Sequence, residues 1–164
     1  MSKVRLYSAR WIYALAVSLS VALCLFIFIM SNEPATVSAE RSGGIAYILA
    51  PIFVEEFEEL DTDEKEEILL DIDHIIRKVV HFGMYAVLCA LFTVASLWHS
   101  RTWIKHLLLP WLLSALYAAG DEIHQMFVPG RGPLVSDVVI DSCGALFGAV
   151  FVMACTAILL KRKS

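Results

Sequence analysis

Charge is scarce in this chain. Asp, Glu, Lys and Arg make up 18 % of its 164 residues, where soluble domains carry about 25 %. Hydrophobic residues fill the deficit at 59 %, with a mean hydropathy of +0.70. That balance excludes an ordinary soluble domain and suits a single membrane domain over residues 1–164. Cysteine is limited to Cys24, Cys89, Cys143 and Cys155, each inside an apolar run and none in C-x-x-C spacing. A disulfide framework and a zinc knuckle are therefore unsupported, and the thiols read as small packing residues. Histidine pairs at H-x-x-x-H or H-E-x-x-H spacing are missing, and no Ser or Cys stands in a nucleophile motif. Both absences argue against a metal centre and against acyl-enzyme chemistry. Internal repeats and inverted halves are absent as well, which leaves a transporter without support. No cofactor and no nucleic-acid partner is expected.

Four apolar runs are present instead. Residues 11–30 form an uncharged stretch, and twenty residues at about 1.5 Å per residue match a hydrocarbon core of about 30 Å. It reads as a retained span, being longer than the usual signal-peptide core. Further spans are expected over 79–98, 107–128 and 138–160, with Pro110 in the first turn of the third, where a missing N–H does little harm. The expected fold class is thus an all-α integral membrane protein with four transmembrane helices.

Acidic residues are missing from three places: the N-terminal arm, the stretch around Arg101 and the tail after Leu160. Those same places hold Lys3, Arg5, Arg10, Arg101, Lys105, Lys161, Arg162 and Lys163. The positive-inside rule puts them in the cytoplasm together with both termini. His99 and His106 then read as inner-interface residues, with Trp11, Trp98 and Trp103 in the aromatic belt.

Thirteen of the seventeen acids lie instead between Glu33 and Asp73, in an outer acidic insert over 31–73. Ser42-Gly43-Gly44 followed by an apolar stretch to Phe53, broken by Pro51, suits a short interfacial or re-entrant segment. Asp61 and Glu64 stand at capping-box spacing, and Ile68, Ile72, Ile75 and Val79 repeat every three to four residues. The expectation is an extracytoplasmic amphipathic helix running without a break into the second span. The acidic run 55–67 reads as a solvated face.

The informative residues are ionisable groups in or beside the spans, because one placed at mid-bilayer costs at least about 2.5 to 3.5 kcal/mol unless paired or hydrated. Arg77, His81 and Tyr85 recur every four residues on one stripe, with Lys78 beside it. Asp121, Glu122, His124 and Gln125 cluster near the end of the third span, and Arg131 follows in a Pro129-Gly130 turn. Asp137 and Asp141 open the fourth span on the stripe that continues to Gly144 and Gly148, a G-x-x-x-G pair suited to close helix contact. Three helices thereby offer charges of both signs at one outer level.

These residues carry a resemblance. The block Arg77-Lys78-Val-Val-His81-Phe82-Gly-Met-Tyr85, and the block Asp121-Glu122-Ile-His124-Gln125-Met-Phe127-Val128-Pro129-Gly130-Arg131 continuing to Asp137, Asp141 and Gly144, resemble the VanZ-like membrane protein family. The resemblance covers roughly half of the chain, in order, and leaves the acidic insert largely outside it. It implies a small multi-spanning cell-envelope protein, in a family named for resistance to the glycopeptide teicoplanin.

Two main readings follow. In the first, the cluster recognises, and in its stronger form modifies, an anionic membrane lipid or lipid-linked cell-wall precursor. Arg77, Lys78, Tyr85, Gln125, Arg131, Asp137 and Asp141 would then bind substrate, and His81, Asp121, Glu122 and His124 are the candidates for acid–base work. In the second, the protein is non-catalytic, and Arg77, Lys78 and Arg131 neutralise Asp121, Glu122, Asp137 and Asp141 in an interhelical ion-pair network. Whether the chain is an enzyme stays open between them. A metal site drawn from the same His, Asp and Glu side chains is a weaker alternative.

Overall fold

A computed structural model describes residues 3–98 and 102–162, with side chains from Arg10 onward. His99, Arg101 and Lys163 lie outside the described residues, as do the side chains of Lys3 and Arg5. The chain runs α1 (Lys3–Ser31), α2 (Ala35–Phe53), a 3-10 turn (Phe57–Glu59), α3 (Thr62–Ser96), α4 (Trp103–Gln125) and α5 (Val135–Lys161), with no strand among the described residues.

The second expected span and the amphipathic helix before it are one element, α3. Asp61 caps it as its spacing requires: Asp61 Oδ1 accepts from the Glu64 amide at 2.8 Å, and Glu64 Oε2 accepts from the Asp61 amide at 3.4 Å. At 35 residues it spans about 52 Å, more than a bilayer core needs. Its acidic first half therefore extends beyond the apolar part that begins near Val79.

Around α3 the other helices assemble: α5 against one side, α1 and α2 against others, with α4 closing on both α3 and α5. The centre is a small apolar core of Ile27, Tyr85, Leu88, Cys89, Ala118, Ala145 and Ala149. Outside it the surface is inverted relative to a soluble protein. Trp11, Phe127 and Val135 are 74 %, 80 % and 83 % exposed, and many Leu, Ile and Phe side chains of α1, α4 and α5 stand out likewise. Such continuous apolar cover is expected only where lipid replaces water.

Among the described residues, three helical segments can cross a membrane by length and composition: Arg10–Ser31, Thr62–Ser96 and Val135–Lys161. The expected third span, 107–128, is carried by α4, which stops at Gln125 and falls below the same criterion. Its 23 residues reach about 34 Å, so length is sufficient. Its apolarity is diluted by Lys105, His106, Pro110, Ser114, Asp121 and Glu122.

One local expectation is corrected. The apolar stretch 45–53 is not broken at Pro51 and is longer than a short segment: it is the second half of a single 19-residue helix that includes Ser42-Gly43-Gly44, with Pro51 in its last turn. Ser42, Ala46 and Ala50, four residues apart, form the buried side of α2 on α3. This close packing of small residues outweighs the helix cost of about 1 kcal/mol per glycine. His106, expected at the inner interface, is buried and shares a 2.9 Å hydrogen bond with Ser96 Oγ between α3 and α4.

Candidate functional site

The α4–α5 loop is fastened across the α1–α2 junction. The Ala35 amide donates to the Pro129 carbonyl at 3.2 Å. Gly130 adopts φ +76°, with a Cβ position only 3.1 Å from the Ala35 Cβ, so a side chain there meets both backbone strain and contact. Next to it Arg131 Nε donates to the Glu33 carbonyl at 2.9 Å. The adjoining ends of α1, α2, α4 and α5 are thereby drawn together, and the polar side chains divide into two layers.

The inner layer is closed. Asp121 Oδ2 accepts from Ser31 Oγ at 2.8 Å and from Gln125 Nε2 at 3.2 Å, which ties α1 to α4. Glu122 Oε2 accepts from the Leu134 amide at 2.9 Å, fixing the residue that precedes α5. Asp121, Glu122 and Gln125 are all buried. Short bonds from protein donors leave these two carboxylates committed to holding helices.

The outer layer is looser and surrounds a cavity of about 200 Å³, whose wall includes Arg77, Lys78, His81, Arg131, Asp137 and Asp141. Lys78 Nζ stands 3.7 Å from Asp137 Oδ1, and His81 Nδ1 stands 3.6 Å from Asp141 Oδ2. Both separations exceed the 2.7 to 2.9 Å of a charge-assisted hydrogen bond. Asp141 is 1 % exposed, yet its Oδ1 has no hydrogen-bond partner among the described residues. Arg77 pairs at 2.8 Å with Asp73, one turn earlier on its own helix, and its buried Nε is likewise unpartnered. No ion pair joins Arg131 to a carboxylate among the described residues. Burial lowers the Arg131 pKa, and neighbouring Arg77 pushes the same way against Asp121, Glu33 and Glu122. A guanidinium remains charged under such pressure.

Several sequence-predicted residues fall elsewhere. His124 lies against Phe28, ring centroids 4.7 Å apart, with its Nε2 buried and without a hydrogen-bond partner among the described residues, and it does not line the cavity. Tyr85 is fully buried, off the cavity wall, 6.3 Å between ring centroids from Tyr117, whose hydroxyl donates to the Cys24 carbonyl at 2.6 Å. The expected pairing of Arg77 and Arg131 with the motif carboxylates is corrected: Arg77 takes Asp73, and Arg131 takes a carbonyl. An i, i+4 acid on the same helix needs no interhelical fit and so prevails. Among the described residues, no three His, Cys, Asp or Glu side chains stand together as a metal site.

Sequence reasoning passed over His74, which lines the cavity and precedes Arg77 by three residues on the same stripe. It also passed over Ser31, whose signal was only a hydroxyl at the end of an apolar run. The Tyr85 hydroxyl has no hydrogen-bond partner among the described residues. Replacing it by Phe is therefore expected to leave the melting temperature in detergent unchanged or raised, since a buried unsatisfied hydroxyl costs about 1 to 3 kcal/mol. A drop in melting temperature would reveal a partner for the phenol.

A model of the VanZ/LLP1 family matches residues 15–159, nearly the whole chain. Neither the curated proteins nor the solved structures yielded a match.

Proposed function

The chain belongs to the VanZ/LLP1 family, and from that premise we propose that its outer cavity binds the anionic headgroup of a membrane lipid or lipid-linked cell-wall precursor. Membership suggests, at the level of the family, a role in glycopeptide resistance. Teicoplanin is the antibiotic for which this reading expects an effect, by occupancy of the headgroup that the drug or its target lies beside.

The observation that carries the reading is Arg131. It is a half-buried guanidinium on a cavity wall, beside Arg77, and has no carboxylate of its own among the described residues. Two guanidiniums converging on one space favour a phosphate or carboxylate between them, held through paired N–H donors. Lys78 and His81, with their long contacts to Asp137 and Asp141, can turn toward such a ligand with little lost. If proton transfer accompanies binding, His81 is the base to test, because it reaches the cavity and His124 does not.

The topology belonging to this proposal has four spans, with α4 the third in chain order beside the three membrane-crossing candidates, both termini cytoplasmic and the cavity outward. In it α2 lies along the outer interface. Ile48 and Ile52 are its exposed apolar side, opposite the buried Ser42, Ala46 and Ala50.

A second reading applies to the inner layer. The short bonds of Asp121 and Glu122 favour a structural staple there. One experiment separates the layers: melting temperature and affinity for dioleoyl phosphatidic acid, measured together in detergent. Lys78→Gln is expected to weaken binding with unchanged melting, and Glu122→Gln to lower melting with unchanged affinity in the folded fraction. Wild-type affinity should also fall as ionic strength rises from about 0.01 M to 1 M, which shortens the Debye length from about 30 Å to 3 Å. Salt-independent binding, unaffected by Lys78→Gln, would refute the headgroup assignment.

A further inference from the structure

A second cavity, about 280 Å³, adjoins the first. Its apolar wall is Phe26 and Met30 of α1, Ile45 of α2, and Ile76, Val80 and Met84 of α3. Its polar lining holds Arg77, His81 and Arg131, which also line the headgroup cavity, together with Glu33, which is neutralised by Arg41 at 2.8 Å. The two spaces thus share Arg77, His81 and Arg131 as a common border, with a largely apolar wall on one side and a charged one on the other.

The apolar walls belong chiefly to the two membrane-crossing candidates α1 and α3. Phe26 is 49 % and Val80 is 50 % exposed, so in a bilayer the slot opens toward lipid chains. Small rigid solutes such as free phosphate or a sugar gain nothing from such a wall.

Building on the headgroup reading above, we infer that the ligand is a lipid phosphate whose hydrocarbon chain lies in the slot between α1 and α3, with its phosphate at Arg77 and Arg131. With Glu33 neutralised by Arg41, the guanidiniums of Arg77 and Arg131 commit the polar end to an anion, and the apolar wall that adjoins them commits the rest of the molecule to a chain attached within a few bonds of the phosphate. Val80 and Met84 then set how much chain is accepted, while Arg131 sets the headgroup.

The test uses the full chain in detergent and three probes: dioleoyl phosphatidic acid, dioleoyl phosphatidylcholine and glycerol 3-phosphate. Wild-type protein is expected to bind the phosphatidic acid at least about tenfold more tightly than either other probe. Val80→Trp, a replacement at a half-exposed position that leaves the core untouched, should lose about tenfold for phosphatidic acid and keep its affinity for glycerol 3-phosphate. Arg131→Gln should weaken both. Equal wild-type affinity for phosphatidic acid and glycerol 3-phosphate, both reduced by Arg131→Gln, would overturn the chain slot and leave the headgroup reading intact. Binding of phosphatidic acid that ignores Arg131→Gln would overturn both. The chain comparison on the wild type stands even if Val80→Trp fails to fold.

Discussion

Gly148→Ala is expected to lower the melting temperature of the detergent-solubilised protein sharply, while Gly120→Ala, the same change one helix away, raises it slightly. A Cβ built at Gly148 falls on the Ala86 carbonyl, and one at Gly144 on the Phe82 carbonyl, both backbone atoms of α3 that cannot rotate away. A Cβ at Gly120 or Gly83 meets nothing within 4 Å. The α3–α5 contact is the most extensive in the bundle, so separating those helices by a methyl group disturbs the axis of the fold. Overpacking costs about 1 to 3 kcal/mol where side chains can yield, and here only backbone stands opposite. At Gly120 the entropy term alone operates, and Ala gains about 0.5 to 1 kcal/mol. Equal melting of Gly148→Ala and wild type would mean that α3 and α5 do not approach as described.

Charge reversal at Arg131 should have the largest functional effect. Arg131→Glu removes the guanidinium that faces Arg77 and adds a carboxylate to a wall that already holds Asp137 and Asp141. Losing a charge-assisted bond costs about 1.5 to 3 kcal/mol, and repulsion of an incoming phosphate adds to it. Affinity for dioleoyl phosphatidic acid is expected to fall about a hundredfold or more. The structural cost is small, since Arg131 sits in a loop and donates one bond, to the Glu33 carbonyl. Its melting temperature should therefore stay close to wild type, unlike that of Gly148→Ala. Arg131→Lys should fall between, keeping the charge and losing the fork.

The contrast between these two positions follows how far each was legible in the sequence. Gly144 and Gly148 could be read as a close-approach stripe because periodicity within one helix is fixed by geometry, and the structure puts both against α3. The Asp61–Glu64 capping box and the unbroken run of α3 were legible for the same reason. What a helix faces is not encoded in its own period. His124 and Gln125 are neighbours in sequence, yet one turns to Phe28 and the other to the cavity and Asp121. Arg77 and Arg131 gave no sign of their partners, one an acid four residues back and the other a carbonyl 98 residues away. Pro51 suggested a break in the stretch 45–53, yet α2 runs through it to Phe53, with Ser42, Ala46 and Ala50 buried along one side.

The closed inner layer and the open outer layer differ in one respect that matters for function. Asp121 and Glu122 spend their lone pairs on Ser31, Gln125 and Leu134. Asp141 and Arg77 keep a buried atom each without a partner among the described residues. Buried polar atoms left unmatched at one cavity mark where a ligand's own polar groups would be worth most.

The most direct test of the central claim, that the outer cavity holds an anionic lipid headgroup, is native mass spectrometry of the protein purified from membranes in mild detergent, wild type beside Arg131→Glu. Wild-type protein is expected to retain a phosphate-bearing lipid in one-to-one ratio, and Arg131→Glu to arrive without it at an unchanged melting temperature. Equal retention of the same lipid by both proteins, or a wild-type protein that carries none and takes up none when it is supplied, would contradict the account.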